Sequence, residues 1–285
     1  MENISIILPA KNEAAALCML LPELRRIMPD SEIIIVNDGS TDNTVELCAQ
    51  HDVRVITQPY SMGNGAAIKA GARAAKGELL VFMDADGQHK PEDIPRLLEK
   101  MAEGYQMVVG ARSRSSQPGL HRATANGFYN WLASWVVEQK VEDLTSGFRC
   151  VNANKFRKFC YLLPNGFSYP TTITMSFFRA GFGIAYLPIE APKRIGKSHV
   201  RIFRDGVRFL LIIFKIGTLY SPLKIFLPIS IAFFTLGIGN YLFTFLTAHR
   251  FTNMSALLLI TSVVVFLMGL VSEQITSLNY KDSED

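Results

Sequence analysis

The stretch ELLVFMDADGQHKPED, residues 78–93, joins an apolar run, an acidic turn and a helix start in consecutive positions. The run ELLVFMD predicts a strand at 78–84, and Pro91 opens a helical pattern at about 91–103. Asp84 and Asp86 stand one residue apart in the turn between them. Asp and Gly also favour such turns for backbone reasons alone, so the stretch by itself leaves two interpretations open: a strand end followed by a helix cap, or a ligand site.

The same alternation of strand and helix continues on both sides of this stretch. Apolar runs predict further strands at 4–9, 32–37, 53–58, 106–112 and 183–190, and helical patterns lie at about 13–28, 41–51 and 64–76. The alternation predicts an α/β fold with a mostly parallel sheet flanked by helices on both faces. Ligands bind at the carboxyl ends of such strands, and polar clusters follow three of them, at residues 9–13, 37–40 and 84–88.

Two C-terminal segments carry no charged residue: Leu227–Leu246 and Met254–Val271. Each approaches the roughly 20 apolar residues that a helix needs to cross a bilayer. They predict two transmembrane helices, at about 225–247 and 254–272. The alternative is a buried helical hairpin in a soluble core, which the lack of a polar face disfavours.

Basic residues are concentrated before the first predicted span. They are Lys193, Arg194, Lys197, Arg201, Arg204, Arg208, Lys215 and Lys224. The positive-inside rule therefore predicts that the long N-terminal part and both termini lie on the cytoplasmic side of a membrane. Residues 200–222 mix these charges with Phe, Leu and Ile, which predicts an amphipathic interfacial segment. The expected division is a cytosolic domain at 1–199, this segment, the spans within 223–272 and a cytoplasmic tail at 273–285.

Charge and cysteine content disfavour several other classes of protein. The net charge of +4 lies mainly beside the first span, which favours an anionic membrane surface over nucleic acid as a partner. The N-terminal stretch MENISIILPAKNEA shows no secretory signal pattern. Cys18, Cys48, Cys150 and Cys160 form no CxxC pair, so we expect reduced, mostly buried thiols and no zinc site.

Two carboxylates at positions i and i+2 of a tight turn can direct their oxygens at one hard cation. Asp84 and Asp86 therefore suit Mg²⁺ or Mn²⁺, with diphosphate oxygens and water completing the coordination. Such a metal stabilises the charge that develops on a departing diphosphate. The pattern favours an enzyme that uses a nucleotide diphosphate.

Two further features are typical of anion binding. Gly63 and Gly65 begin a dinucleotide-binding fingerprint, but Ile68 replaces its third glycine and the motif does not follow the first strand. A tight turn before a helix is the preferred interpretation, although the N-terminus of that helix could position a phosphate. Arginines at 112, 114, 122 and 149 are either solvated or, as we prefer, ligands of an anionic group near the acidic pair.

Seven segments match, in order, the motifs of one family: LPAKNEA (8–14), IIIVNDGSTDNT (33–44), GNGAAIKAG (63–71), MDADGQHKPED (83–93), VVGARS (108–113), EDLTSGFR (142–149) and PKRIGKSH (192–199). The chain resembles the family 2 glycosyltransferases of GT-A fold, and within them the polyprenyl-phosphate glycosyltransferases typified by dolichyl-phosphate mannose synthase. The resemblance implies metal-dependent, inverting transfer of a hexose from a nucleotide-diphospho-sugar, GDP-mannose or a UDP-sugar, to an undecaprenyl or dolichyl phosphate.

The resemblance also implies roles for single residues. Donor-binding residues would be Pro9, Glu13, Val36, Asp38, Asp84, Ala85, Asp86, Arg112 and Arg194, of which the first four surround the nucleoside. Metal ligands would be Asp84, Asp86 and Gln88. The acceptor phosphate would contact Arg112, Arg122 and Ser146, and Asp143 with the turn at 145–147 would lie beside the transferred sugar. The expected catalytic residues are Asp86, Asp143 and Arg122.

Two positions depart from the family pattern. Lys11 stands where mannose synthases usually have Tyr, and the loop PKRIGKSH ends in His199 in place of Lys. Both positions lie near the donor in relatives, so the nucleotide and the sugar stay open, as does the oligomeric state, including a homo-oligomer. Two other functions are retained as alternatives. Transfer to a polysaccharide is disfavoured because no QxxRW motif is present, and a non-catalytic nucleotide-sugar sensor because Asp84, Asp86 and Gln88 are all retained.

Overall fold

The computed structural model describes residues 3–112, 120–166, 168–190, 211, 214, 217–218 and 221–281. They belong to two compact units, one of Met1–Trp135 and Gln139–Phe209 and the other of Val136–Glu138 and Leu210–Asp285. The expected interfacial segment lies almost entirely outside the described residues, as do Arg114, Arg194 and His199. At Arg122 the helix is described but not the side chain.

The first unit alternates strands and helices along the chain. Its strands are β1 (Ile4–Ala10), β2 (Glu32–Asn37), β3 (Arg54–Thr57), β4 (Leu79–Phe82), β5 (Met107–Arg112), β6 (Arg149–Asn152) and β7 (Ile184–Ile189). Its helices are α1 (Ala14–Ile27), α2 (Thr44–Ala49), α3 (Asn64–Ala74), α4 (Asp93–Ala102), α5 (Leu120–Val137, whose last residues fall in the second unit), α6 (Ala153–Lys158) and α7 (Tyr169–Arg179).

The strands form one sheet in the order β3-β2-β1-β4-β6-β5-β7. All neighbouring pairs are parallel except those of β6, which runs antiparallel to both β4 and β5. The mostly parallel α/β sheet is therefore confirmed. Strand β6 was not expected, because its sequence RCVN is short and shows neither a long apolar run nor alternation.

Successive residues of β1 enter opposite core layers. Ile6 and Leu8 share a layer with apolar residues of α1 and α4, whereas Ile7 belongs to the layer that includes residues of α3 and α7. Because both faces of the sheet are covered, its strands read as continuous apolar runs. All four cysteines are free, and all except Cys18 are buried, as expected for structural thiols.

Strands β1, β2 and β4 end at one edge of the sheet. Ala10 pairs with Asn37, and Ile7 pairs with Phe82. The Asp38 amide donates to the Ala10 carbonyl at 2.9 Å. This bond extends the pairing of β1 with β2 to the ends of both strands. The three polar clusters singled out in the sequence therefore share this edge.

The second unit contains two apolar helices, α8 (Pro222–Ala248) and α9 (Asn253–Lys281). Both are long and apolar enough to cross a membrane, and α9 continues past the expected end of its span. Only 11% and 17% of the residues in their most apolar stretches are buried. An apolar surface this exposed is typical of lipid-facing helices and not of a soluble core.

Small and polar side chains lie between α8 and α9. The Ser230 hydroxyl donates to the Ser262 carbonyl at 2.9 Å, and the Ser262 hydroxyl donates to the Ser230 carbonyl at 2.9 Å. Nearer the connecting loop, Asn240 Oδ1 accepts from Ser255 Oγ at 2.8 Å. Close approach of small residues and hydrogen bonds between helices is the usual way in which helices associate in lipid.

Two glycines of α8 offer a matched test of this packing. A Cβ on Gly237 would lie 2.9 Å from Leu259 Cδ2, whereas a Cβ on Gly239 would meet no atom within 4 Å. We expect Gly237→Ala to have a free energy of unfolding about 1 kcal/mol lower than that of Gly239→Ala, because both gain helix propensity and only Gly237→Ala overpacks against Leu259. Gly239→Ala should leave the wild-type value unchanged or raise it slightly, because Ala favours helix over Gly. Thermal unfolding in detergent, followed by circular dichroism, measures both, and equal melting temperatures would contradict the packing.

Candidate active site

The acidic pair follows β4 at the sheet edge. The Asp84 side chain is 36% exposed, whereas Asp86 is largely buried. Gly87 adopts a φ of +75°, which lets the chain turn sharply after the pair. The Gln88 amide then donates to Asp86 Oδ1 at 3.1 Å. The turn therefore fixes Asp86 and leaves part of the Asp84 carboxylate accessible.

Asp84 is held by two polar side chains. His89 Nε2 lies 3.5 Å from Asp84 Oδ2, and the Asn64 side chain is near enough to the carboxylate to contribute to lowering its pKa. The His89 ring is itself stacked on Phe148, with 5.0 Å between ring centroids. Burial alone would raise the pKa of Asp84, but the hydrogen bond and charge of His89 and the charge of Arg112 outweigh burial and lower it. Asp84 is therefore ionised at neutral pH.

The Ser146-Gly147 turn, which leads into β6, lies against Asp84. A Cβ on Gly147 would lie 2.8 Å from Asp84 Oδ2 and 3.3 Å from Oδ1. Only a glycine lets the main chain come this close to the carboxylate. The antiparallel pairing of Arg149 with Phe82 brings the turn to this place.

Arg112, the last residue of β5, forms a two-pronged ion pair with Asp143. Arg112 Nε donates to Asp143 Oδ2 at 2.9 Å, and Nη2 donates to Oδ1 at 3.1 Å and to Thr145 Oγ1 at 2.5 Å. Asp143 Oδ1 also accepts from the amides of Thr145 and Ser146. Burial alone would raise the pKa of Asp143, but the Arg112 guanidinium, together with the amides of Arg112 and Thr145, lowers it. Asp143 is thus an ionised group that positions its neighbours.

Ser146 and Arg149 donate to groups inside the protein. Ser146 is almost completely buried, and its hydroxyl donates to the Gly110 carbonyl at 2.7 Å. Arg149 is completely buried and donates to the Pro170 carbonyl at 3.2 Å and to Thr174 Oγ1 at 3.0 Å. Arg149 is therefore neither solvated nor a direct ligand of a bound anion, and that expectation was wrong. The expected contact of Ser146 with an acceptor phosphate stays a prediction. In this structure the Ser146 hydroxyl is directed to the Gly110 carbonyl instead.

Asp38 fixes the loop that precedes α3. Its Oδ1 accepts from the Met62 amide at 2.6 Å, and Oδ2 accepts from Ser61 Oγ at 2.9 Å and from the Gly63 amide at 3.1 Å. Lys11 Nζ donates to the same Ser61 Oγ at 2.9 Å. The family resemblance implies that Asp38 holds the base or ribose. Here its oxygens bind the 61–63 loop, and through Ser61 they connect that loop to Lys11.

The other expected donor residues differ in accessibility. Pro9 and Glu13 are half-buried at the sheet edge, so their expected contact with the nucleoside stays a prediction. Val36 is completely buried and packs beside Ile7 in the sheet core, so its side chain does not line a pocket. Ala85 is buried in the opposite core layer. Any contact that Val36 or Ala85 makes with a donor would have to come from the main chain.

The N-terminus of α3 is already occupied by protein. The Gly65 amide donates to the Gly166 carbonyl at 3.1 Å, and the Ala66 amide donates to the Asn165 carbonyl at 2.8 Å. These are two of the amides that a helix start would offer to a phosphate. Asn64, the first residue of α3, lies near Asp84 and helps to lower the pKa of that carboxylate.

The acidic turn fits a metal that is shared with a ligand. Among the described residues, no group of three His, Cys, Asp or Glu side chains is arranged to hold a metal ion. Asp84 and Asp86 offer oxygen atoms, and Asp84 is partly accessible. Two carboxylates suit Mg²⁺ or Mn²⁺ that takes its remaining ligands from a diphosphate and water. Gln88 is half-buried in the same turn and adds an amide oxygen.

Comparison with known proteins defines the family. Residues 5–162, which contain β2 to β6, all of β1 except its first residue, and the acidic pair, match the family model described as Glycosyl transferase family 2. The chain belongs to glycosyl transferase family 2. Residues 221–278 of this glycosyltransferase match a second model, described as GtrB C-terminal hairpin, which coincides with α8 and α9. The family and the enzyme class that the motifs implied are confirmed.

Curated relatives are named as polyprenyl-phosphate sugar transferases. Undecaprenyl-phosphate mannosyltransferase of Micrococcus luteus is 30% identical over 67% of this glycosyltransferase and 85% of the relative. Dolichyl-phosphate hexose transferase of Haloferax volcanii is 27% identical over 72% and 90% of the two chains. Undecaprenyl-phosphate 4-deoxy-4-formamido-L-arabinose transferase of Photorhabdus laumondii is 33% identical over 50% of this glycosyltransferase and 46% of that protein. The glycosyltransferase thus spans about half the length of the last relative.

Solved structures confirm the fold. Glucosyl-3-phosphoglycerate synthase from Mycobacterium tuberculosis, in complex with Mn²⁺ and UDP-glucose, superposes with a TM-score of 0.61 at 22% identity, over 74% of this glycosyltransferase and 77% of the synthase. Its complex with phosphoglyceric acid gives a TM-score of 0.62 at 19% identity, over 76% and 80% of the chains. At this level of identity the likeness establishes the GT-A fold.

His89 and Asn64 lie beside Asp84, and neither was among the site residues that the motifs implied. His89 lies inside the motif that also carries the acidic pair, so its position was a usable signal. Asn64 stands far from Asp84 in sequence, in a segment that resembles an ordinary helix start. Only the folding of α3 against the sheet brings Asn64 to the acidic turn.

The Asp143 carboxylate provides a pH-dependent test. Its pKa is lowered in the folded state, so its contribution to stability is complete above the unfolded-state pKa of about 3.9 and is lost as the pH falls through the lower folded pKa. We expect Asp143→Asn to lower the melting temperature at pH 7, and this deficit should shrink below about pH 4.

The fully exposed Asp52, changed to Asn, is the control and should show neither effect. Thermal unfolding of the full chain in detergent across this pH range makes the measurement. A deficit for Asp143→Asn that stays constant down to about pH 3 would show that Asp143 stabilises the fold without its charge.

Proposed function

We propose that the chain is a metal-dependent, inverting glycosyltransferase that moves a hexose from a nucleotide-diphospho-sugar to a polyprenyl phosphate at the cytoplasmic face of a membrane. The observation that carries the proposal is the acidic pair Asp84 and Asp86 at the carboxyl edge of the sheet in a family 2 chain. The names of the relatives support the acceptor class, because they specify undecaprenyl or dolichyl phosphate.

The donor side of the reaction is assigned to the acidic turn. Asp84, Asp86 and Gln88 would hold Mg²⁺ or Mn²⁺ together with the donor diphosphate. The metal, when bound, stabilises the charge on the diphosphate as it leaves. Support comes from the Mycobacterium tuberculosis synthase of the same fold, which was solved with Mn²⁺ and UDP-glucose. Asp84 is already ionised and lies between His89 and the Gly147 main chain, so it needs little rearrangement to bind a cation.

The acceptor side needs no strong base. A polyprenyl phosphate is anionic at neutral pH, and its oxygen can attack the anomeric carbon directly, which gives inversion by a single displacement. Asp143 suits a positioning role because Arg112 and main-chain amides lower its pKa and occupy its oxygens. A carboxylate of this kind is a poor proton acceptor.

Arg112 can serve both the fold and the substrate. Its Nε and Nη2 donate to Asp143, whereas Nη1 makes no hydrogen bond to the described residues. The side chain is 28% exposed, so Nη1 can donate to a phosphate oxygen. Burial alone would lower the pKa of Arg112, but Asp143 and Asp84 raise it. The guanidinium therefore stays protonated and positively charged. Together with Arg122 it would hold the acceptor phosphate near the donor.

The apolar hairpin explains how the enzyme meets a lipid acceptor. Helices α8 and α9 would cross the bilayer within residues 223–272, and the domain at 1–199 would lie in the cytoplasm. The basic residues at 193–224 support this orientation through the positive-inside rule. Segment 200–222 would lie on the membrane surface between them. Anchoring in this way keeps the donor site close to an acceptor that cannot leave the lipid.

Transfer itself is the first test. Detergent-purified protein is given a short polyprenyl phosphate, Mg²⁺ or Mn²⁺, and a panel of UDP- and GDP-sugars, and both released nucleotide and glycolipid are recorded. We expect glycolipid from one donor, and we expect Asp86→Ala to abolish it without changing the melting temperature by more than about 5 °C. Exposed Asp52→Ala is the matched control.

Two outcomes of these assays would contradict the proposal. Activity of Asp86→Ala close to that of the wild type would remove the acidic pair from the mechanism. Binding of a nucleotide sugar by the wild type with no lipid product from any donor would favour the polysaccharide acceptor or the sensor.

Arg122 tests the acceptor side. We expect Arg122→Ala to raise the KM for polyprenyl phosphate by about tenfold, because one charged contact to the phosphate is lost, and to leave the KM for the donor nearly unchanged. Arg54→Ala, at the start of β3 and therefore at the other end of the parallel strands, is the control. Steady-state kinetics with each substrate varied in turn separates the effects. Equal loss for donor and acceptor would remove Arg122 from the acceptor site.

A further inference from the structure

Arg149 is a buried cation with no role in the chemistry described above. It is completely buried, and among the described residues it forms no ion pair with a carboxylate. Burial lowers the pKa of its guanidinium, and this outweighs the nearby phenols and the charges of Asp143 and Asp84, which raise it. Burying an uncompensated charge is costly, and the Arg149 Nε has no hydrogen-bond partner among the described residues, so the bonds made by Nη1 and Nη2 carry the stabilisation of this charge.

The donors of Arg149 connect the Ser146-Gly147 turn to the start of α7. Nη2 donates to the Ser146 carbonyl, and Nη1 donates to the Pro170 carbonyl at 3.2 Å and to Thr174 Oγ1 at 3.0 Å. One planar guanidinium therefore binds the turn and the helix in a fixed relation, which a flexible single-nitrogen donor would not do.

Tyr169, the first residue of α7, binds the next carbonyl of the same turn. Its hydroxyl donates to the Gly147 carbonyl at 3.0 Å, and the residue is 3% exposed. Burial raises the pKa of this phenol far above its ordinary value, so it remains a donor at any physiological pH. The ring packs on Phe82, with 6.0 Å between centroids, and lies 5.8 Å from the Arg149 guanidinium. Two consecutive carbonyls, those of Ser146 and Gly147, are thus held by two buried donors.

The opposite side of the turn touches Asp84. The Gly147 main chain is so close that an added Cβ would lie 2.8 Å from Asp84 Oδ2. His89 Nε2 lies 3.5 Å from the same oxygen. The turn and His89 therefore bound the space in which the carboxylate can lie, and a displaced turn would let Asp84 move.

We propose that Tyr169 and Arg149 are positioning residues for Asp84, which hold the Ser146-Gly147 turn against the carboxylate and so fix the direction in which it meets the metal and diphosphate. Neither touches the substrate. The inference rests on the proposed function only for the identity of the ligand that Asp84 binds. A purely structural role would instead make the two residues contribute to stability and leave ligand affinity unchanged.

Tyr169→Phe tests the proposal by removing only the hydroxyl group of the side chain. The ring and its packing on Phe82 are retained, and only the hydrogen bond to Gly147 is lost. We expect the Kd for Mn²⁺ in the presence of UDP or GDP to rise by about tenfold, with a fall in melting temperature of less than about 5 °C. Electron paramagnetic resonance of free and bound Mn²⁺, without acceptor or turnover, measures the affinity in the full-length protein.

Tyr186→Phe is the matched control. The Tyr186 hydroxyl is buried, and the charge of Arg149 acts on its pKa. The hydroxyl makes no hydrogen bond to Gly147. We expect wild-type Mn²⁺ affinity in this variant. Wild-type affinity in Tyr169→Phe as well, or an equal loss in both variants, would overturn the proposal, because affinity would then not depend on the bond to Gly147.

Arg149 provides a second, independent test. We expect Arg149→Lys to retain more of the Mn²⁺ affinity than Arg149→Met, since Lys keeps one donor and the charge beneath the turn. Equal affinity in the two variants would contradict the role assigned to Arg149. A wild type that binds no Mn²⁺ with either nucleotide would overturn the proposed function, and this inference with it. A wild type that binds, with Tyr169→Phe binding equally well, overturns this inference alone.

Discussion

The pairing of β6 between β4 and β5 is the interaction on which the site depends. Arg149 lies opposite Phe82 on one side and opposite Val109 on the other. The chain that leads into β6 must therefore pass the carboxyl edge of the sheet between the acidic turn after β4 and the arginine that ends β5. Two contacts follow from this single insertion: Gly147 reaches Asp84, and Asp143 reaches Arg112. A parallel strand in the same place would enter the sheet from the opposite edge and would bring neither contact.

The site is organised by charges that are satisfied before a ligand arrives. Asp84 and Asp143 both have lowered pKa values, because neighbouring donors stabilise their ionised forms more than burial destabilises them. The supporting residues carry the free-energy cost of burying charge. Arg149 is the clearest case, because its cation lies in the interior and is held there by main-chain carbonyls and a hydroxyl.

The two units are stabilised in opposite ways. In the first unit apolar side chains fill the layers on both faces of the sheet, and polar groups collect at one edge. In the hairpin the apolar side chains are exposed, and hydroxyl and amide groups, such as those of Ser230, Ser262 and Asn240, lie between the helices. Small residues and hydrogen bonds between helices are the typical packing of helices for which apolar burial provides no driving force, as in lipid.

By itself the sequence determined the layered α/β fold, the two apolar helices, the acidic pair and the family, because these follow from local periodicity and short motifs. It did not reveal β6, whose four residues carry no periodic signal, and it assigned Arg149 to an anion, because a buried and a solvated arginine look alike in a motif. Tertiary structure alone decided that Val36 lies in the core, that Asp38 binds the 61–63 loop, and that Asn64, His89 and Gly147 surround Asp84. The physical reason is that most of these contacts join segments distant in sequence, the contact of His89 with Asp84 inside one motif being the exception, and that burial and hydrogen-bond partners are properties of the packed sheet edge rather than of any one segment.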